Sequence, residues 1–270
     1  DTPTTEIYNL SLHDALPILL SLLVLTGCTT NNRDNDKTIV IGATPTPHAI
    51  ILEQIKDDVE ALGYTLEIVE FTDYILPNTN LDAGDLDANY FQHVPYLTSF
   101  NNDRGTKLSS VLQVHFEPLG LYPGQATDIE AIANGGVVIA IPNDPTNETR
   151  ALRLLEDNGF ITLNNNEQVT PLDITSNPNN IEFVEMEAAL LAQSLVDVDF
   201  AVINGNYALG ANITDSVLLT EDTQSDAAQT FANVLVVQQG KEESEKTQVL
   251  IDVLSSQKVK DYIEETFYQP

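Results

Sequence analysis

Short apolar runs typical of β-strands alternate with helical patterns along most of this chain, and this alternation constrains the fold more than any other feature. Thr38–Ala43 is a β-rich run, and residues 64–71 alternate apolar and polar side chains as a half-buried strand does. Between them, apolar residues fall on one helical face: Ile51, Ile55, Val59 and Leu62. This order predicts a β-α-β unit.

The same alternation continues to the C-terminus. Further strands are predicted at Leu108–Phe116 and at residues 136–141, 181–184, 199–203 and 232–237. Helices are predicted at residues 146–158, 186–195 and 241–254 and at Gln257–Phe267. Strands that alternate with helices are typical of the α/β class with mainly parallel sheets.

The charge balance excludes several partners. The chain of 270 residues has 11 Lys and Arg against 41 Asp and Glu, a formal net charge of −30. Binding to nucleic acid or to an anionic lipid surface requires clustered basic side chains, so neither is expected from the protein surface. A hydrophobic content of 42% is nevertheless typical of a folded protein. We expect an acidic globular protein, and a monomer.

The single cysteine follows a compact apolar segment. Residues 18–25 (ILLSLLVL) are too few to span a bilayer but fit the apolar region of a secretory signal peptide. The following Thr26-Gly27-Cys28 completes a stretch that resembles the lipobox of bacterial lipoproteins, which implies cleavage before Cys28 and its acylation. The alternative is a buried helix with a free cysteine. Lipidation would anchor the protein to the cell membrane, facing away from the cytoplasm.

The first residues do not fit a signal peptide. Residues 1–27 contain no Lys or Arg, although a signal peptide normally begins with them. We therefore interpret residues 1–17 as foreign sequence joined to a truncated signal. Residues 1–27 are predicted to be a leader, and residues 28–36 a polar tether.

Enzyme motifs are absent from the sequence. It contains no GxGxxG after a strand, no Walker A motif, no HExxH and no GxSxG. The histidines His93 and His115 lack the spacing of a helical metal pair. We therefore predict no catalytic residue, no metal site, no cofactor and no enzymatic activity.

Polar and aromatic residues cluster near the ends of predicted strands, where open α/β sheets bind ligands. The three segments are GDLDANYFQHVPYL at residues 84–97, IPNDPTNETRAL at 141–152 and VDFAVINGNYA at 198–208. They resemble the methionine-binding solute-binding lipoproteins of ABC importers, the MetQ/NlpA family. The resemblance extends over residues 37–270, and its most specific part is the first segment.

The resemblance implies a two-lobed fold like that of periplasmic binding proteins, with a hinge between the lobes. The implied function is to capture L-methionine between the lobes and deliver it to a membrane permease driven by an ATPase. We expect lobe one to hold residues 37–119 and 227–270, and lobe two residues 120–226. Two alternatives remain: the same fold binding another amino acid or a methionine-containing dipeptide, and a surface lipoprotein with a structural or adhesive role.

Arginine is the residue type best suited to bind the carboxylate of an amino acid, because its guanidinium forms paired hydrogen bonds with carboxylates. Arg150 falls in the predicted first turns of a helix, where free backbone N–H groups also favour an anion. We predict Arg150 as the carboxylate ligand and Arg153 as its competitor. The alternative is a surface ion pair between Arg150 and Glu148 or Glu156.

Asparagine amides after the predicted strands are candidates for the remaining polar contacts. Asn204 is the first of these, followed by Asn206 and Asn147. The alternatives are an ordinary turn at Asn204–Asn206 and a helix start at Asn147. Glu117 is a further candidate acceptor for the ammonium group.

An aromatic pocket would suit a thioether side chain, because sulfur packs well against ring edges. Phe91 and His93 are the first candidates and Tyr90 the second, since strand alternation points Tyr90 away from the other two. Tyr74 and Tyr122 are further candidates, although buried aromatics more often belong to the core. His93 could alternatively start a helix.

Overall fold

The computed structural model describes residues 36–222 and 229–267. The predicted leader, Cys28 and the tether up to residue 35 lie outside the described residues, so the predictions made for them are not tested here. No helix within the described ranges is both long enough and apolar enough to cross a membrane.

The first sheet contains five strands in the order β2-β1-β3-β12-β4. They are β1 (Thr38–Ala43), β2 (Thr65–Glu70), β3 (Ala88–His93), β4 (Leu108–Phe116) and β12 (Ala232–Gln238). β12 is antiparallel to both of its neighbours, while β1 is parallel to β2 and to β3. Four of the five strands therefore run in one direction.

The second sheet has the order β11-β5-β10-β6-β9. Its strands are β5 (Gly120–Pro123), β6 (Val138–Pro142), β9 (Glu182–Met186), β10 (Phe200–Ile203) and β11 (Leu219–Thr220). β5 is antiparallel to both neighbours, and β6 is parallel to β9 and to β10. A separate hairpin pairs β7 (Thr162–Leu163) with β8 (Ile174–Ser176).

Helices connect these strands. In the first half they are α1 (Ile50–Glu53), α2 (Lys56–Ala61), α3 (Leu76–Ala83), α4 (Val94–Arg104) and α5 (Glu130–Asn134), with a helical turn at Pro45–Ala49 before α1. In the second half they are α6 (Pro145–Asp157), α7 (Leu191–Ser194), α8 (Gly205–Gly210), α9 (Glu245–Leu254) and α10 (Gln257–Phe267). Single 3₁₀ turns lie at Pro171–Asp173, Ala188–Leu190 and Thr214–Ser216.

The predicted class is confirmed: the fold is α/β, with two sheets whose strands run mainly in parallel. β4 and α10 have the predicted bounds, and the strands at residues 136–141, 181–184, 199–203 and 232–237 are each found within two residues of the prediction. The residue ranges assigned to the two lobes stay a prediction. Below, "first lobe" and "second lobe" denote the elements that pack around the first and second sheets.

Three local predictions are wrong. The helix predicted at residues 186–195 is short, because β9 extends to Met186 and α7 begins only at Leu191. The helix predicted from residue 241 begins four residues later, where the Ser244 hydroxyl accepts a hydrogen bond from the Thr247 amide. Leu62 is 52% exposed because the chain has already left α2 there.

Candidate ligand-binding site

A cavity with about 340 Å³ of space, part of it open to solvent, lies between the two sheets. We call it the ligand cavity. Its walls come from the ends of β3 and β4 in the first lobe and from α6 and the end of β10 in the second lobe. It is lined by Tyr74, Phe91, Gln92, His93, Tyr96, Glu117, Asn147, Arg150, Asn204, Gly205, Asn206 and Asn233.

Arg150 is buried at the second-lobe wall and is held by an ion pair. Its Nε and Nη2 atoms donate to the carboxylate oxygens of Glu221 at 2.9 and 2.6 Å. Its Nη1 atom donates to Asn147 Oδ1 at 3.1 Å. The guanidinium therefore reaches the cavity already oriented. Its carboxylate partner is Glu221, and not Glu148 or Glu156, which the alternative interpretation named.

Arg153 points away from the cavity. Its Nη1 atom donates to Glu156 at 2.6 Å, and its Nη2 atom donates to the backbone carbonyl oxygens of Asn164 and Asn166. None of these partners lines the cavity, and neither does Arg153, so the structure separates the two arginines that the sequence left as competitors.

α6 begins at a well-formed N-cap. The Asp144 side chain accepts a hydrogen bond from the Asn147 amide, and Pro145 occupies the first turn, where its missing N–H costs nothing. This cap fixes the turn that carries Asn147 and, one turn later, Arg150 on the same face of the helix.

His93 joins the two lobes. Its Nδ1 atom accepts from the backbone N–H of Tyr96, so it caps α4 as the alternative interpretation predicted. Its Nε2 atom faces Asn147 Oδ1 at 3.1 Å. Burial, reinforced by the positive charge of Arg150, lowers the pKa of His93 to about 3. His93 is therefore a neutral bridge between the lobes that also lines the cavity.

Two asparagines follow β10 at the second-lobe wall. Asn206 Oδ1 accepts a hydrogen bond from the Tyr74 hydroxyl at 2.5 Å, a second polar contact between the lobes. Asn204 is 6% exposed, and its Oδ1 atom has no hydrogen-bond partner among the described residues. An unpaired buried acceptor is costly, so Asn204 is prepared to receive a donor inside the cavity.

Glu117 lies at the end of β4 and is 9% exposed. Burial alone would raise the pKa of this carboxyl. The electrostatic interaction with His48 and a hydrogen bond from His115 outweigh that effect, so its pKa lies below the ordinary value. The ligand cavity therefore has an anionic group in its first-lobe wall.

Aromatic rings form the rest of the first-lobe wall. The centroid of Tyr74 lies 5.8 Å from those of Phe91 and Tyr96, and 5.1 Å from that of Tyr207. Aromatic pairs at such separations pack edge-on or tilted, and their ring edges suit an apolar or thioether group.

Two predicted pocket residues lie outside the ligand cavity. Tyr90 is fully buried, and its ring packs against His48 at 4.7 Å. The pairing of β3 with β12 shifts register beside Phe91, so strict alternation ends there and Phe91, Gln92 and His93 can line the same cavity while Tyr90 stays in the core. Tyr122 belongs to a buried cluster beneath the second sheet.

Four residues that line the cavity were not predicted as site residues: Gln92, Tyr96, Gly205 and Asn233. Tyr96 and Gln92 stand inside the segment that carried the resemblance, so that segment contained the signal for them. Asn233 is on β12, about 140 residues later in the chain, and only the pairing of β12 with β3 brings it to the cavity.

The site can therefore bind a small zwitterion that has an apolar side chain. Two α/β lobes with a polar cavity between them define the class of periplasmic substrate-binding proteins. The chain matches the model of the NlpA lipoprotein family over residues 39–270 and belongs to that family.

Its relatives agree with this assignment. The membrane lipoprotein TpN32 of Treponema pallidum is 40% identical over 86% of each chain. The methionine-binding lipoprotein MetQ of Bacillus subtilis is 34% identical over 90% of this chain and 91% of its own length. The structure of a nutrient-binding protein from Burkholderia cenocepacia, bound to methionine, aligns with a TM-score of 0.79 at 36% identity, over 85% of this chain and 96% of that chain.

Proposed function

We propose that this protein captures an amino acid, L-methionine, in the ligand cavity and delivers it to the membrane permease of an ABC importer. One observation carries the proposal: the same small cavity contains an oriented cation, Arg150, and a buried acceptor without a hydrogen bond among the described residues, Asn204 Oδ1. The family assignment and the methionine held by the related Burkholderia protein support the choice of ligand.

The polar groups of the ligand are assigned by charge. The free N–H of Arg150 Nη1 binds the carboxylate, since Glu221 already occupies the Nε edge of the guanidinium. Asn204 Oδ1 and the Glu117 carboxylate accept from the ammonium group. Asn147 orients Arg150 and His93 rather than serving as a principal ligand.

The side chain of the ligand packs against rings of the first lobe. Phe91 is 3% exposed at the cavity wall, with Tyr74 and Tyr96 beside it. A thioether is polarizable and gains from contact with ring edges, which favours methionine over an aliphatic side chain of equal length.

Ligand binding is coupled to closure because the two lobes recognise different parts of the ligand. Only the closed arrangement brings the rings and Arg150 to the same molecule, so the ligand favours that arrangement through its differential affinity. Hydrogen bonds between the lobes support this arrangement, among them His93–Asn147, Tyr74–Asn206 and Tyr207–Thr72. A permease would distinguish the loaded protein by this shape.

A longer ligand is the second candidate, because a larger cavity shares Tyr74 and Tyr96 with the ligand cavity. It has about 790 Å³ of space, and carboxylates from both lobes line it, including Asp73, Asp144 and Glu187. This lining would suit the ammonium group of a dipeptide whose methionine occupies the inner cavity.

A thermal-unfolding panel tests the ligand. The chain from Thr29 onward, freed of retained ligand by partial unfolding, is heated with each standard amino acid, D-methionine and methionine dipeptides. Ligand at 100 times its dissociation constant stabilises the folded state by about 2.7 kcal/mol. A shift with L-methionine alone supports the proposal, and a larger shift with dipeptides moves it to the second candidate. A folded sample that responds to none of them overturns both.

We also propose that lipid on Cys28 anchors the protein to the membrane outside the cytoplasm, where it would meet the permease. The resemblance to a lipobox and the family assignment support this. Expressed in bacteria behind a complete lipoprotein signal peptide, the protein should sediment with membranes, and Cys28→Ser should release it into the soluble extracytoplasmic fraction. Membrane association that survives Cys28→Ser would contradict the proposal.

A further inference from the structure

Three buried side chains converge behind the ligand cavity. His48 lies on the helical turn at Pro45–Ala49, and His115 and Glu117 lie at the end of β4. One ligating atom from each falls within 4.8 Å of the other two. They are 1%, 7% and 9% exposed, so this cluster is part of the interior.

Each imidazole is fixed through Nδ1 and turns Nε2 towards Glu117. His48 Nδ1 is hydrogen-bonded to the Thr44 hydroxyl at 2.7 Å, and His115 Nδ1 is hydrogen-bonded to the Tyr90 hydroxyl. Histidines that bind metals are normally oriented in this way, with the second ring nitrogen held by a neighbouring polar group.

The two Nε2 atoms differ in their hydrogen bonding to Glu117. His115 Nε2 lies 2.6 Å from Glu117 Oε1 in a hydrogen bond. His48 Nε2 lies 3.3 Å from the same oxygen and, among the described residues, makes no hydrogen bond of good geometry. The Asn233 side chain also lies beside His48, but no hydrogen bond of good geometry from the described part of the chain reaches the buried Nε2 atom, which is aimed at a carboxylate. This is a costly arrangement unless something else binds there.

We propose that His48, His115 and Glu117 form a site for a divalent transition-metal ion, with Zn²⁺ the ion that this donor set favours. Two histidines and one carboxylate are an established set of protein ligands for Zn²⁺. Ligand atoms about 2.1 Å from a tetrahedral ion lie about 3.4 Å apart. The His48–Glu117 separation of 3.3 Å is close to that value, while the His115–Glu117 separation of 2.6 Å has to lengthen by about 0.8 Å to match it.

Each side chain can present the required atom to a cation. Both imidazoles face Glu117 Oε1, so this oxygen is the metal ligand and Oε2 stays available to the ammonium group. For His115 to bind through Nε2, its single ring proton moves from Nε2 to Nδ1, where it is donated to the Tyr90 hydroxyl.

The site also has an entry path. A second cavity, with about 670 Å³ of space, is lined by Pro47, His115, Glu117 and Tyr122 among others. We call it the rear cavity. Because it reaches two of the three ligands, a metal ion could enter from this side, and a water molecule there could fill the fourth position of the tetrahedron.

Equilibrium dialysis against Zn²⁺, without any amino acid present, tests the proposal independently of the proposed function. The full chain carries Cys28→Ser, which removes its only thiol. One tightly bound Zn²⁺ per chain is expected. His48→Gln and His115→Gln should each weaken binding by more than about 100-fold, since loss of outer-shell partners alone costs 10- to 100-fold.

His93→Gln is the matched control, because it removes another buried histidine that lies outside the cluster. It should retain the bound Zn²⁺. Anomalous X-ray scattering at the zinc edge, from crystals of the unsubstituted cluster, requires no variant to fold and should give a peak between the two Nε2 atoms. No stoichiometric binding, a peak elsewhere, or equal binding by the cluster variants and the control would each overturn the proposal.

Discussion

The two lobes have sheets of the same design but give the ligand cavity different chemistry. In each sheet three adjacent strands are parallel, a fourth is antiparallel and a fifth returns to the common direction. The first lobe contributes mainly aromatic rings, around Phe91, whereas the second contributes Arg150 and the asparagine amides. One fold therefore places an aromatic wall, which also carries the Glu117 carboxylate, opposite a wall of Arg150 and asparagine amides.

The lobes also differ in how completely their buried amides are satisfied. In the first lobe, Gln92 exchanges hydrogen bonds with Asn78 and donates one to Asn89, which in turn donates to Asn78, and no partner from outside the protein is needed. In the second lobe, Asn204 Oδ1 has no partner among the described residues. A satisfied network rigidifies a wall, while an unsatisfied acceptor is available to a ligand. We infer that the amides of the first-lobe network stabilise the fold, whereas the Asn204 amide is available for ligand binding.

The largest effect is expected from Arg150→Ala in the polar wall. It should lower the free energy of unfolding by about 3–5 kcal/mol, because Glu221 is left buried without its partner. Affinity for L-methionine, measured by calorimetry, should fall by at least about 100-fold, which corresponds to a loss of about 2.7 kcal/mol. Arg153→Ala is the control and should leave affinity unchanged. Equal losses in both variants would remove the distinction between the two arginines.

Asn204→Ala removes the unsatisfied acceptor, and we expect a smaller effect than that of Arg150→Ala. Affinity should fall by about 10- to 100-fold, since a ligand donor loses its buried partner. The unfolding free energy of the ligand-free protein, from urea denaturation, should change by less than about 1 kcal/mol. Asn78→Ala in the first lobe should have the opposite pattern. It should leave affinity unchanged but destabilise the protein by about 1–3 kcal/mol, because it breaks the amide network. An Asn204 variant that unfolds early but binds normally would show that this amide serves the fold.

The free energy of unfolding should depend on pH through a buried carboxyl on α6, the helix that carries Arg150. Burial and a hydrogen bond with Glu185 raise the pKa of Glu148, on α6, to about 8. Because its unfolded pKa is near 4.5, the folded state binds the proton more tightly, and stability should decline as pH rises from about 5 to about 8. Glu148→Gln should reduce this decline by roughly 1 kcal/mol in urea denaturation. The same slope in parent and variant would assign the titration to another group.

The smallest effect is expected from the hydroxyl of Tyr74, which crosses from the first lobe to Asn206. Tyr74→Phe should weaken L-methionine binding by about 1 kcal/mol, roughly fivefold, because the closed arrangement loses one hydrogen bond. Tyr96→Phe loses a hydrogen bond within the first lobe, to the Tyr74 carbonyl, and should affect unfolding rather than affinity. Identical affinity losses would mean that neither hydroxyl reports closure.

Prediction from sequence succeeded where a local pattern dictates a local structure. The end of β10 is set by four buried apolar residues followed by Asn204 and Gly205, and α6 is set by Asp144 and Pro145. Both elements therefore place their polar residues at a predictable point. Strand alternation did not place Gln92 beside Phe91 and His93, because an irregular pairing with a strand distant in sequence changed which side chains of β3 face the cavity. A register shift depends on the partner strand, so the pattern of apolar and polar residues within β3 itself does not reveal it.

The sequence by itself determined the α/β class, most element positions, the family, and Arg150 and Asn204 as members of the cavity wall. These follow from periodicity, capping residues and short motifs, which act over a few residues. Only the tertiary structure decided that Glu221 orients Arg150, that Arg153 is excluded, and that His48 meets His115 and Glu117. The contacts of Arg150 with Glu221 and of His48 with Glu117 join residues about 70 positions apart, and their geometry is fixed by sheet order and lobe packing rather than by local spacing.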